Sequence, residues 1–539
     1  MPALTAVLAP TRTTVRAPDR GRGADLRRRL RVPLIATAAV LPLYALWVVC
    51  LATGGGDLAA QDAWAEFVGH HPGSAYNLSW YGGLHTAGYS LVSPYLMAWF
   101  GVRTVSVLSG LAGSWLAAAL FVRSGMHRPL WPALFASLAL WCNVASGRTT
   151  FALGVALGLG AVLVVTGPNR RPLLAVTLSA LATAGSPVAG LFLGVAGAGL
   201  MLARHVRDGV ALALPPFLVV AATVVFFPSS GQQPMSFGRI WPPVMCCAAV
   251  VLCAPLAWRT LRFGAVVYAV GVVLTFLVPS PIGTNVERLA ELVGPAVLVA
   301  CLLAPGRYRL QRLALVAALA VSVNWLAQKT VDDLNVSTDV PSWAAHSQGV
   351  VTELRVLGAD KARVEVVPVR DHREATLLAP YVNMARGWNR QIDMKRGRLF
   401  YDGTFSAASY RAWLDSRAVG FVVLSSGKPD DHAGEEAALV NHPPSWLTPV
   451  WRDANWRIYR VHDPQPLVSG DGTVISSDSA SLVVRVSGPG AVIVRIAYSP
   501  WLHATGACLR PAGDWAQLIV PTPGDYRITS QYRLPGAPC

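Results

Sequence analysis

Three acids stand close together early in the chain. Asp57, Asp62 and Glu66 are spaced by five and four residues within GGGDLAAQDAWAEFVGHHPGSAYNLSWYGGLHTAGYSLVSP, which runs from Gly54 to Pro94. A carboxylate here could act as general base on an acceptor hydroxyl, or help to hold a divalent metal. If DLAAQDAWAEF is helical, Asp62 and Glu66 share a face. Asp57 then opens the helix, where an Asp after Gly also serves as a cap. His70, His71 and His85 add bases or ligands. Adjacent histidines point apart in regular structure, so the His-His pair is a weak metal signal. The WYGG run places Trp80 and Tyr81 at a tight reversal. Their rings are expected to face a sugar or lipid, or to sit in an interfacial belt.

A second set is cationic. Arg148, Arg239 and Arg288 fall at the mouths of apolar segments, on the side where few cations are expected. Guanidinium grips phosphate through paired donors, so these three could hold the phosphate of a lipid-linked substrate. Snorkelling to headgroups is the other reading, and Glu287 beside Arg288 offers a local ion pair.

The elements that must carry these residues are mostly apolar. The chain has 539 residues, of which 53% are hydrophobic and 14% charged, against about 25% charged in ordinary globular domains. Apolar segments of near-spanning length are expected at 32–51, 104–122, 129–145, 150–166, 172–185, 188–203, 209–227, 241–257, 264–280, 289–305 and 311–328. That gives about eleven spans. The arm carries Arg12, Arg16, Arg20, Arg22, Arg27, Arg28, Arg29 and Arg31, as a cytoplasmic tail should. Loops near Arg123–Arg128, Arg170–Arg171, Arg204–Arg207, Arg259–Arg262 and Arg307–Arg312 are basic, and the alternate loops are not. The N-terminus is therefore read as inside, and an odd count places the C-terminal part outside. The net charge of +16 follows this topology and gives no reason to invoke nucleic acid. Residues 87–101, apolar but short, are read as an interfacial or re-entrant helix.

Four regions result: a basic cytoplasmic arm at 1–31; a transmembrane domain at 32–328 with an outer loop at 52–102; an extracytoplasmic α/β module at 329–465; and a small extracytoplasmic β-sandwich at 466–539. ARVEVVPV and AVGFVVLSS read as strands, and SAASYRAWLDSRA as an amphipathic helix. Arg386, Trp388, Arg390, Gln391, Asp393, Lys395, Arg396 and Arg398 form a basic, aromatic run that could face the membrane and take an anionic or sugar group. In the last region Trp501, His503 and Trp515 could line a sugar platform. Six of the eight cysteines sit in apolar runs. Cys508 and Cys539 do not, and in an exported domain they could form a disulfide. No metal spacing, Walker loop, dinucleotide fingerprint or nucleophile elbow occurs.

This layout resembles the GT-C class of membrane glycosyltransferases: a basic arm, one span, a large outer loop opening on an acid, an interfacial helix, many spans and an exported domain. Several pieces also look like a group of actinobacterial polytopic membrane proteins, among them SGRTTFALGVALGL at 146–159, GTNVERL at 283–289, RVEVVPVRDHREATLLAP at 363–380 and ARGWNRQIDMKRGRLFYDG at 385–403. The resemblance implies a plasma-membrane enzyme that takes a sugar from a polyprenyl phosphate to an envelope glycan or lipid acceptor. Asp57 matches the first-loop acid best and Asp62 second. Leu58 and Ala59 follow Asp57, so a paired DxD is missing. No cofactor is implied with certainty; a divalent metal stays open. The alternatives are a multi-pass transporter or lipid flippase, which needs a polar path through spans poor in buried charge, and a non-catalytic envelope glycan-binding protein.

Overall fold

The structure, a computed structural model, describes residues 20–168, 171–228 and 231–533, with side chains from residue 30 onward. The arm from residue 1 to 19, the side chains of residues 20–29, Arg170 and Cys539 lie outside what is described. The chain divides into two compact units. One holds Met1–Ala52, Val102–Val225 and Gln233–Asn335; the other holds Thr53–Gly101, Phe226–Gln232 and Val336–Cys539.

The first unit is helical. Among the described residues, each of the eleven apolar segments contains a helix, from Arg20–Leu46 to Arg309–Ser337. Five are long and apolar enough to cross a membrane: Leu30–Leu51, Val102–Arg123, Val206–Phe226, Arg259–Leu277 and Arg309–Ser337. The others are shorter, such as Pro172–Gly185 and Pro187–Leu202, each opening on a proline whose missing N–H costs nothing in a first turn. The packing is inverted relative to a water-soluble bundle. Ala36, Ala118, Ala133, Ser114 and Ser137 are buried, whereas Leu108, Phe217 and Leu310 are 62%, 69% and 78% exposed. Small residues let helices approach: a Cβ on Gly197 would lie 2.6 Å from the Gly209 carbonyl. Large apolar residues facing outward with small ones inside is the pattern lipid imposes.

The second unit is mixed. Arg363–Val366, Val419–Ser425, Trp456–Val461 and Leu447–Arg452 form one four-stranded sheet in that order, with the first pair parallel and the rest antiparallel. Every residue of Val419–Ser425 is buried, as an apolar run in a central strand must be. The helix Ala407–Ser416 starts on a reciprocal capping box between Ser406 and Ser409. Two further antiparallel sheets of four strands follow. Val484, Val486 and Ile528 of one share a core with Val492, Val494 and Leu518 of the other.

The outer loop belongs to this second unit. Its two-stranded ribbon, Tyr76–Asn77 with Leu84–His85, sends Tyr76 and Leu78 into the core of the two C-terminal sheets. Trp64, Phe67, Trp80 and Tyr81 enter the core of the α/β sheet. The segment is thus a shared structural element of both folds. Within 87–101 the chain forms the helices Thr86–Tyr89 and Ser93–Phe100; Met97 is buried, and Trp99 and Phe100 are 72% and 61% exposed.

Candidate functional site

Asp57 is the first residue of a 14-residue helix, Asp57–His70, and is half-buried. The cap position is Gly56, at φ 64°, so Asp57 sits in the first turn and does not itself cap the helix. The approach to it is pinned. The Gly56 N–H donates to the Asp371 carbonyl at 2.7 Å, and the Trp388 indole N–H donates to the Gly56 carbonyl at 3.1 Å. Thr53 Oγ1 donates to the carbonyls of Ser337 and Thr338, each at 2.8 Å. Arg373 reaches the Thr53 carbonyl at 2.5 Å, the Ser337 carbonyl at 2.8 Å and the Asp339 carbonyl at 2.9 Å, while its Nε donates to Asp371 at 3.1 Å. Burial pushes the Asp371 carboxyl up, and the hydrogen bonds and charge of Arg373 oppose this.

Asp62 lies one turn on and is half-buried; Glu66, on the same face, is exposed. The His70 ring donates from Nδ1 to the Glu66 carbonyl at 3.0 Å. His71 packs beside Phe67, and burial lowers its pKa. His85 is buried with Nε2 2.8 Å from Ser499 Oγ, and burial pushes its pKa down to about 4, which keeps it neutral. Among the described residues no three His, Cys, Asp or Glu side chains converge as a metal-ligand set.

The expected exposure of Trp80 and Tyr81 is corrected. The reversal forms, with Gly83 N–H donating to the Trp80 carbonyl at 2.8 Å and positive φ at Tyr81 and Gly82. Both rings, however, are 1% exposed. Tyr81 OH donates to the Gly387 carbonyl at 2.6 Å, and Arg396 donates to the carbonyls of Tyr81 and Gly83. Trp80 lies so close to Gly387 that a Cβ there would stand 2.3 Å from the indole. WYGG and RGWNR are therefore two halves of one lock, far apart in sequence.

The basic run is likewise turned inward. Arg386 is buried between Glu365, at 2.7 Å, and Glu436, with its guanidinium 3.8 Å above the Phe400 ring. Arg390 forms a paired contact with Asp430 at 2.8 and 3.1 Å. Only Lys395 and Arg398 of the run's cations are exposed. Behind Trp388, His372 stacks on the indole at 3.4 Å with φ 55°, a left-handed conformation that costs a non-glycine residue energy. Its Nδ1 lies 3.6 Å from Glu374. Burial pushes His372 down to about 3 and Glu374 well above the carboxylate range. The expected sugar platform is corrected at Trp501, which is buried, stacks on Phe227 and donates to the Phe226 carbonyl at 2.6 Å; His503 and Trp515 are half-buried. Cys508 is disulfide-bonded.

The arginine set lies in the helical unit. Arg148 donates to Glu291 at 2.9 Å and to Asp333 at 3.1 Å. Lys329 joins Glu291 to Glu287, the latter at 2.8 Å, and Arg239 stands 3.6 Å from Glu287. Arg288 faces the Phe151 ring at 5.5 Å and lines a small recess with Arg148, Lys329, Glu291, Asn143 and Ser146. The structure thus gathers the arginines around carboxylates the phosphate assignment did not include. Glu287 pairs with Lys329 and Arg239. Four cations meet three acids here among the described residues. The spans are less poor in buried charge than the sequence reading held. The overlooked signal was spacing: Glu287 with Glu291, and Lys329 with Asp333, are each four apart on a helical path.

A family model described as Domain of unknown function (DUF8823) matches residues 469–508. No curated protein matches the chain. Among solved structures, the cryo-EM structure of arabinofuranosyltransferase AftD from Mycobacteria is similar, with a TM-score of 0.45 and 15% identity, covering 87% of this chain and 42% of that one. A mutant form of the same enzyme gives a TM-score of 0.43 at 15% identity, covering 87% and 43%. The chain therefore spans under half the length of either neighbour.

Proposed function

We propose that this protein is a membrane glycosyltransferase that moves a sugar from a polyprenyl-phosphate donor to a cell-envelope glycan or lipid acceptor on the outer face. Asp57 is the general base for the acceptor hydroxyl, and Asp62 is the alternate. The observation that carries the reading is the placement of Asp57. It is a half-buried carboxylate six residues beyond the first membrane-length helix, on a backbone tied at Thr53 and Gly56. A base needs a fixed position more than an unusual environment, because proton transfer demands hydrogen-bond reach. Arg148, Arg239 and Arg288 are candidate donor-phosphate groups, and their carboxylate partners would have to share them with the donor.

One observation favours a second reading, a transporter or lipid flippase. The Arg148–Glu291–Lys329–Glu287 network is a buried ionisable cluster within membrane helices, and such clusters mark substrate or ion paths. One experiment separates the two. Asp57→Asn and Glu291→Gln are each introduced into a deletion strain, and envelope glycan composition is compared at equal protein level. On the enzyme reading, Asp57→Asn lowers product by about 10²–10⁴-fold, the usual contribution of a general base. A full wild-type glycan profile from Asp57→Asn, together with a deletion-like profile from Glu291→Gln, rejects catalysis at Asp57 and supports transport.

A further inference from the structure

The geometry points to Arg373 as the positioning residue of the Asp57 carboxylate. This inference rests on the reading of Asp57 as a base, but its physical content can be tested without that reading. Arg373 is 5% exposed. Its donors join three stretches of chain: Thr53, four residues before Asp57; Ser337 and Asp339, at the end of the last long helix; and Asp371, two residues before Arg373 itself.

The connection then closes on the other side. The Asp371 side chain accepts from Arg373, and the Asp371 carbonyl accepts from the Gly56 N–H. The peptide from Thr53 to Gly56 is thus held at both ends by the 371–373 segment. Between those ends Gly55 runs in a slot too narrow for a side chain: a Cβ would meet the Ser337 carbonyl at 2.8 Å and the Arg373 guanidinium at 3.0 Å. A lysine cannot replace this arrangement, since one ammonium lacks the planar fork that reaches five oxygens in fixed directions, the Thr53 hydroxyl among them. Three glycines in a row would otherwise leave Asp57 on a loose tether. Arg373 removes that freedom, which is what a base needs if it is to meet a hydroxyl at hydrogen-bond distance.

The test uses the full-length protein with Cys50→Ser, so that the one exposed membrane-segment thiol is silent. Asp57→Cys reports the position of the helix start through its labelling rate with a soluble maleimide. Ala408→Cys, exposed on the separate helix Ala407–Ser416, reports general unfolding. In the Arg373→Gln and Arg373→Lys backgrounds the rate at residue 57 is expected to rise about tenfold or more while that at residue 408 stays unchanged. An unchanged rate at residue 57, or an equal rise at both sites, overturns the proposal. Should Arg373→Gln fail to fold, Thr53→Val, which removes the hydroxyl bonded to Ser337, Thr338 and Arg373, gives the same comparison. Envelope glycan profiles keep the two ideas apart. A displaced residue 57 with a wild-type profile for Asp57→Asn leaves the staple standing and removes the base. A lost product for Asp57→Asn with unmoved labelling does the reverse.

Discussion

Asp57 stands out as a candidate in the sequence because acids, glycines and a preceding apolar run lie side by side. Its supports do not, because Arg373 and Thr53 are 320 residues apart. Trp80, Tyr81 and His85 illustrate the same limit. Their residue types suit binding surfaces, yet each is buried against a partner remote in the chain. The 371–374 segment carries a measurable consequence. Glu374 is buried, and its neighbours are a neutral His372 and the negative Asp371, so burial and repulsion hold its proton. Its folded pKa lies above the ordinary value of 4.5. The contribution to stability is therefore complete below pH 4.5 and is lost as pH rises toward the folded value, at up to about 1.4 kcal/mol per pH unit. Glu374→Gln keeps the shape and discards the titration. Detergent-solubilised wild type and variant are expected to melt together near pH 4.5, with the variant gaining on wild type as pH rises above it. Parallel melting curves across that range would show that Glu374 titrates normally.

At the scale of elements, the long apolar helices and the buried strand Val419–Ser425 were legible because hydrophobic period and length specify them. Several loops read as cytoplasmic also cap neighbours: Arg262 donates to the Val251 carbonyl at 3.1 Å, and Arg123 and Arg307 donate to the carbonyls of Leu163 and Cys253. These cations satisfy orphan carbonyls at helix ends, a use that charge counting along a sequence does not reveal. The aromatics of the outer loop were misread: with the tight turn, Trp80 and Tyr81 serve packing. Gly83 tests this. It has φ 124°, and an added Cβ would stand 2.1 Å from the Tyr76 ring, which is itself locked in the core of the C-terminal sheets. Gly83→Ala combines backbone strain with overpacking, and together these are expected to cost about 3 kcal/mol. Gly125→Ala has a similar sign of φ but nothing within 4 Å, so its cost is expected near 1 kcal/mol. Urea unfolding of the two variants should rank them in that order; equal losses would mean that the ribbon yields and is no keystone.

At the scale of the molecule, the question is which side of the bilayer carries the second unit. The shorter helices, from Trp241–Cys253 at 13 residues to Thr149–Val165 at 17, extend only about 20–26 Å at 1.5 Å per residue, against a hydrocarbon core of about 30 Å. Helices of this length cross a thinned bilayer or insert part-way, so the number of crossings depends on local bilayer thickness. Parity is less sensitive. If the five long helices cross, or if all eleven helices of the first unit among the described residues do, the number of crossings is odd, and the residues after Ser337 would then lie opposite the N-terminus. In intact cells carrying Cys50→Ser, a membrane-impermeant maleimide is expected to label Ala408→Cys and to spare Ser124→Cys, which sits in the basic loop after Val102–Arg123. Permeabilised cells should label both. The inverse pattern, with residue 124 reached from outside and residue 408 protected, would place the acidic helix in the cytoplasm. There nucleotide sugars are available, and the case for a lipid-linked donor would lose its physical ground.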